Sequence, residues 1–261
     1  MIEELKYFLL GLIQGLAEFF PISSSGHLVL FSELIDLAHD HPLLLSIVVH
    51  FATTLSTILI YNKKIFKITK GLISKNQQSI SFVGKIIVST LPIIIIGFVL
   101  RDKIEFIFDD STRLVAIMLI ITGLILFFTR QKTLSKKDIT YVDALLMGLA
   151  QSIAIIPGIS RSGVTISVAL MCKIDKEKAA EFSFLMVLIP ILGITIMELV
   201  VFASSSFILD SSEIYGLLIA FSTALISGLF ACKYMIKLVH NNNLKYFGYY
   251  CIIVGLIFIF I

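Results

Sequence analysis

Charge is the scarcest commodity in this chain. Of its 261 residues only 15% are Asp, Glu, Lys or Arg, against roughly 25% in a domain whose surface meets water. That shortfall excludes an ordinary soluble protein. The net charge of +3 is small and the basic residues sit in loops, so nucleic acid has no support as a partner. Cysteine is scarce too. Cys172, Cys232 and Cys251 are odd in number and widely scattered, which argues against a disulfide framework and a zinc site. The first stretch also lacks a basic n-region: Glu3 and Glu4 stand in its place, with no small-residue cleavage site behind them. It is expected to stay in the mature protein.

What the chain has instead is apolar residues, at 57% of the total and a mean hydropathy of +0.99. They lie in long runs, the mark of bilayer-spanning helices that each need about 20 apolar residues. Eight segments stand out, at roughly 5–31, 43–61, 82–100, 114–129, 142–171, 182–203, 214–232 and 244–261. The first and fifth are broken near their middles, by Pro21-Ile22-Ser23-Ser24-Ser25-Gly26 and by Pro157-Gly158-Ile159-Ser160-Arg161-Ser162-Gly163. A continuous helix through either run would strand backbone groups and put hydroxyls in lipid. Two half-helices meeting at a turn are expected in each.

Loop charge decides which segments cross. The loop 62–81 carries Lys63, Lys64, Lys67, Lys70 and Lys75, and the loop 130–141 carries Arg130, Lys132, Lys136 and Lys137; both are placed in the cytoplasm. Acids balance bases in 101–113, which falls outside. If segment five crossed fully, Lys233, Lys237 and Lys245 would face outward. If it enters and returns on the cytoplasmic side, every Lys-rich loop stays inside. Segment five is therefore read as re-entrant. Segment one, followed by a loop 32–42 free of Lys and Arg, is read by analogy as re-entrant from the outside. The expected fold is an all-α polytopic membrane domain over 1–261 with an inverted-topology repeat. Each half, about 1–135 and 136–261, has one re-entrant hairpin and three crossings. Gly11-Leu12-Ile13-Gln14 before the first break and Gly148-Leu149-Ala150-Gln151 before the second echo each other across the halves.

Arg161 is the one cation deep inside a hydrophobic segment, where a charge costs at least a few kcal/mol unless it is paired or functional. Ser160, Ser162, Gly163 and Thr165 surround it at the start of a half-helix, a setting that suits a phosphate oxyanion. The blander reading is a packing ion pair with a buried glutamate. Glu18 is the matching acid. Gln14 lies one turn earlier on the same face, and two oxygen ligands at that spacing could share Mg²⁺ or Ca²⁺ with substrate phosphates. Alternatively Glu18 only neutralises Arg161. Of Ser23, Ser24 and Ser25, at least one is expected to cap the half-helix that follows. Beyond Gly26, His27 could act as nucleophile or general acid on a phosphoryl group. His50 either lines the cavity or bonds between helices, and Glu181 and Ser183 either support the site or cap a helix start. Glu198 has no assignment, and His39, His41 and His240 have no constellation around them.

The strings Gln14-Gly15-Leu16-Ala17-Glu18-Phe19-Phe20-Pro21-Ile22-Ser23-Ser24-Ser25-Gly26-His27 and Pro157-Gly158-Ile159-Ser160-Arg161-Ser162-Gly163-Val164-Thr165 closely resemble the two signature motifs of the undecaprenyl-diphosphate phosphatase, or bacitracin-resistance, family. Glu181-Phe182-Ser183-Phe184 looks like a further family segment, and the match in segment order runs over essentially the whole chain. The resemblance implies hydrolysis of a C55 isoprenyl diphosphate to the monophosphate, which recycles the lipid carrier of cell-wall synthesis. It also implies a bacterial plasma membrane, a divalent cation and a site open to the outer side. The family's functional positions fall on Gln14, Glu18, Ser24, His27, Ser160, Arg161 and Thr165, with Ser25, Gly26, Ser162 and Gly163 beside them as substrate-binding candidates. Some members carry glutamate where this chain has Gln14, which removes a charge from the metal-ligand pair.

The nucleophile is left open between His27, Ser24 and water. The rival function is a polyprenyl-phosphate flippase or transporter, since inverted repeats with paired broken helices are common in carriers. The small-residue face from Gly216 to Gly228 permits close helix packing, within the chain or across a homodimer.

Overall fold

A backbone in lipid must satisfy its own N–H and C=O groups, so the apolar runs fold as helices. The computed structural model describes residues 3–34, 42–99, 112–129, 137–204, 210–241 and 243–260. Among these the helices are α1 (Glu3–Phe19), α2 (Ser24–Leu34), α3 (Pro42–Ile60), α4 (Asn62–Ile73), α5 (Gln77–Val99), α6 (Thr112–Phe128), α7 (Tyr141–Ile153), α8 (Arg161–Met171), α9 (Lys176–Met186), α10 (Leu188–Ser204), α11 (Ser211–His240) and α12 (Leu244–Phe260). The only extended pairing among the described residues is a single bridge between Lys137 and Ile174. By length and composition α5, α11 and the run Lys176–Met197 through α9 and α10 are each able to cross a bilayer. The apolar helices α6 and α12 are 17 residues each, at the short end of the spanning range of about 17–25. The chain is a helical, multi-pass membrane protein.

Both expected interruptions are present. α1 stops at Phe19 and α2 starts at Ser24; α7 stops at Ile153 and α8 starts at Arg161. The second broken segment folds back on itself. Lys137, just before α7, accepts a hydrogen bond from the Asp175 N–H (3.1 Å) and donates its ammonium to the Cys172 carbonyl (3.2 Å). Entry and exit of this segment therefore sit at one level, as a hairpin requires. A Thr140–Asp143 capping box fixes the start of α7. In the first segment α2 packs on α1, with Leu28 and Phe31 against the cluster that holds Tyr7 and Leu10.

Small residues set the closest approaches. A Cβ on Gly11 would lie 2.4 Å from the Ala220 carbonyl oxygen in α11, and one on Gly148 would lie 2.3 Å from that of Ser89 in α5. The two Gly-Leu-x-Gln strings thus do the same job, pressing the first arm of each hairpin onto a long helix. α6 and α12 cross reciprocally: Gly123 meets the Gly248 carbonyl and Gly248 meets that of Gly123. The small-residue face of α11 is used inside the chain as well. Gly216 abuts the Tyr7 ring and Gly228 the Ser56 hydroxyl, so this face is not free for a second copy.

The loop 62–81 contains α4 and the first turn of α5. Ile65, Phe66 and Ile68 fall at helical spacing between its lysines, a pattern that the dense charge obscures. Most of the loops 32–42, 101–113, 130–141 and 204–213 lies outside the described residues, as do His39, His41 and the Glu198 side chain.

Candidate active site

Each break is held by its own hydroxyls. Ser23, in the left-handed region at φ 70°, accepts the Gly26 N–H on its Oγ at 3.2 Å and so caps α2. Gly158, at φ 93°, turns the second break, and a Cβ there would stand 2.5 Å from the Val115 carbonyl oxygen. Only glycine meets both conditions. Thr122 of α6 clamps this turn, donating to the Gly158 carbonyl and accepting from the Ser160 N–H, each at 3.0 Å. The two turns touch: a Cβ on Gly26 would lie 3.0 Å from Gly158 Cα. Gly26 is thus a packing residue.

That contact brings the charged groups together. Arg161 Nη2 lies 2.5 Å from Glu18 Oε1, although the two are 143 positions apart. Their side chains are only 15% and 9% exposed, so the pair is largely desolvated, and removing either member would strand the other at a cost of about 3–5 kcal/mol. Arg161 Nη1 also donates to the Ser183 carbonyl at 3.3 Å. The other Glu18 oxygen, Oε2, accepts from Ser24 Oγ at 2.9 Å and from Gln14 Nε2 at 3.1 Å. A hydroxyl donating to a carboxylate beside a guanidinium is the arrangement of a nucleophile with its base. A narrow cleft meets the pair, lined by Glu18, Arg161, Thr53, Thr54, Thr57, Val187, Leu188 and Ile191.

The remaining candidates have hydrogen-bond partners of their own. Ser160 caps α8, accepting the Gly163 N–H at 3.1 Å and contacting Ser162 Oγ at 3.3 Å. Thr165 donates to the Arg161 carbonyl at 2.8 Å and meets Ser183 Oγ at 2.7 Å. Ser160, Ser162 and Thr165 are buried, and the Ser160 and Thr165 hydroxyls are engaged at the start of α8 that carries Arg161. Ser25 touches only Ser23 Oγ, at 3.4 Å. His27 bonds neither member of the Glu18–Arg161 pair. Its Nδ1 bonds the Ser23 carbonyl, which can only accept, so Nδ1 carries the proton. Its Nε2 meets Tyr250 Oη at 2.9 Å, and the two rings stack at 5.5 Å. His50 Nδ1 donates to Ser46 on its own helix. Glu181 pairs with Lys64 at 2.7 Å, tying α4 to α9 rather than supporting the site.

Sequence reasoning missed Thr53, Thr54, Thr57, Thr122 and Tyr250. A cluster of threonines inside the apolar α3 was the available signal. Among the described residues no group of three His, Cys, Asp or Glu side chains could hold a metal. The oxygens that fit a hard cation are those of Glu18 and Gln14, and Gln14 Oε1 is buried without a hydrogen-bond partner.

Fold and site together define a polytopic helical membrane protein with an ion pair buried between two interrupted helices. The chain belongs to the bacitracin resistance protein BacA family, whose model matches residues 7–257. It is similar to proteins named undecaprenyl-diphosphatase. That of Thermosipho africanus is 41% identical over 260 residues, covering 98% of this chain and 100% of the relative. Those of Christiangramia forsetii and Bacteroides fragilis are each 40% identical, covering 95% and 98% of this chain and 94% and 97% of the relative.

Proposed function

We propose that this protein hydrolyses undecaprenyl diphosphate to undecaprenyl phosphate and phosphate, recycling the lipid carrier of cell-wall synthesis and so conferring bacitracin resistance. The observation that carries the reading is the Glu18–Arg161 contact at the mouth of a cleft, in a chain that aligns end to end with relatives of that name. The apolar wall of Val187, Leu188 and Ile191 suits an isoprenyl tail, and Arg161 suits the diphosphate.

In the mechanism we infer, an arriving phosphate draws the guanidinium of Arg161 away from Glu18. Ser160, Thr165 and Ser183 hold the arginine in place, and its charge stabilises the oxygens of the transferring phosphoryl group. Freed from its partner, Glu18 takes the proton of Ser24. The Ser24 Oγ–P bond forms as the bridging P–O bond breaks, releasing undecaprenyl phosphate; water then releases phosphate from the serine. Glu18 and Gln14 would hold a divalent cation, Mg²⁺ or Ca²⁺, which would supply neutralisation of phosphate charge. Gln14 being neutral, most of the attraction for such an ion rests on Glu18.

We infer further that the halves 1–135 and 136–261 are inverted repeats in a bacterial plasma membrane, with the site open to the outer face. The reciprocal α6–α12 crossing and the matched α1–α11 and α7–α5 packing support this. The deciding experiment is phosphate release from undecaprenyl diphosphate by the purified protein in detergent. Steady release that vanishes in Arg161→Ala is expected. A folded protein that binds the lipid without releasing phosphate would be a flippase or transporter, and the phosphatase reading would fall.

A further inference from the structure

Lysines 63, 67 and 70 recur at i, i+4 and i+7 along α4, which places them in one stripe. All three are exposed, and among the described residues none has a carboxylate partner; Lys64, off that stripe, is the one α4 lysine that pairs, with Glu181. Beside the stripe lie Phe66 and Ile73, seven positions apart and 71% and 81% exposed. This helix bends 74° away from the apolar run Leu44–Ile60. A helix with four lysines in twelve residues that turns so sharply from an apolar run is suited to lie along the membrane surface rather than to extend the span. The body holds it in one orientation: Ile65 packs on the main core, Gly71 lies against Ser79 of α5, and Lys64 is tied to α9. Phe66 and Ile73 consequently face away from the protein.

A surface-lying helix with bare apolar residues next to unpaired lysines is complementary to one partner. The apolar side chains enter the acyl boundary and the ammonium groups meet phosphates at headgroup level. We propose that α4 is a recognition surface for anionic phospholipids of the cytoplasmic leaflet, with Lys63, Lys67 and Lys70 as the selective contacts. The inference rests on the membrane topology and not on the chemistry assigned to Glu18 and Arg161.

The chain contains no tryptophan, so Phe66→Trp gives a single fluorophore on the proposed surface. The variant is reconstituted into mixed phosphatidylglycerol–phosphatidylcholine vesicles in which one or the other lipid is brominated, and quenching is compared at equal mole fraction. Brominated phosphatidylglycerol is expected to quench with a relative association constant about fivefold above that of phosphatidylcholine, the worth of one lysine near the surface. Adding Lys63→Gln, Lys67→Gln and Lys70→Gln should bring the two to parity, with phosphate release in neutral detergent unchanged as the check on folding. Equal quenching in the parent, or a preference that survives the three glutamines, overturns the proposal. In the second case the selectivity belongs to other basic segments.

Discussion

The two interrupted segments share a design and divide the labour. Each begins with Gly-Leu-x-Gln, presses a glycine onto a neighbouring helix, breaks at proline and serine, and restarts with a capped half-helix. In the first, the polar groups point at one another across the site: Gln14 and Ser24 both bond the same oxygen of Glu18. In the second, Ser160, Ser162 and Thr165 hold their own helix start and the position of Arg161. In the mechanism proposed above, the first segment supplies the reacting groups. In that mechanism the second supplies a single cation and the frame that aims it.

The comparison breaks most directly at the carboxylate. Glu18→Gln keeps the shape and loses the charge, leaving Arg161 buried without a counter-ion and Ser24 without a base. Phosphate release is expected to fall about 10³-fold or more. Ser24→Ala should lose a similar factor, and a labelled phosphoryl-enzyme trapped in the parent by rapid acid quench should be absent. His27→Ala should lose only about tenfold and still form that phosphoserine, because His27 is engaged with Tyr250 and Ser23. A phosphohistidine that disappears with His27→Ala would exchange the two roles.

A smaller effect separates the turns themselves. Gly158→Ala combines a disfavoured φ with a backbone clash against Val115, and is expected to lower the stability of the detergent-solubilised protein by about 2–4 kcal/mol. Gly26→Ala, a helical residue against Gly158 Cα, should cost about half as much. Thermal unfolding of the two variants measures the difference. Equal costs would mean that the second turn is no more rigid than the first.

Much of this was legible in residues that lipid tolerates badly. Arg161, Glu18 and the Pro-Gly-Ser breaks stand out because each is costly at membrane depth without a partner. The hairpin of the second segment followed from lysine placement alone, and the bonds between Lys137 and the chain after α8 agree with it. The long-range partners were not legible. Tyr250 is 223 positions from His27, and nothing local marks one tyrosine of Tyr249-Tyr250 as its mate. Thr122 acts through contacts that only the packed helices create, whereas Ser183, for which support of the site was one of two readings, does touch Arg161 and Thr165. The donors around Arg161 looked free because a sequence does not reveal which hydroxyls the backbone will claim. α4 escaped for the opposite reason, its lysines dominating a helical pattern.

The smallest expected effect is the sharpest test of the divergence. Gln14 and Gln151 hold the same place in the two motifs, and both are fully buried. Four residues after Gln14 stands Glu18, which takes its amide N–H; four after Gln151 stands Ile155, beyond the end of α7. Neither amide atom of the Gln151 side chain has a hydrogen-bond partner within the protein. An apolar side chain of similar volume should therefore be at least as good there, since the desolvation of an unpaired amide costs about 1–3 kcal/mol. Gln151→Met is expected to leave phosphate release unchanged and to raise stability by about 1 kcal/mol. Gln14→Met should slow release about tenfold, because it frees the Glu18 carboxylate to rotate and removes the one orphaned oxygen beside it. If Gln151→Met slows release as much as Gln14→Met does, the second glutamine also serves the site, and the division of labour between the two segments is wrong.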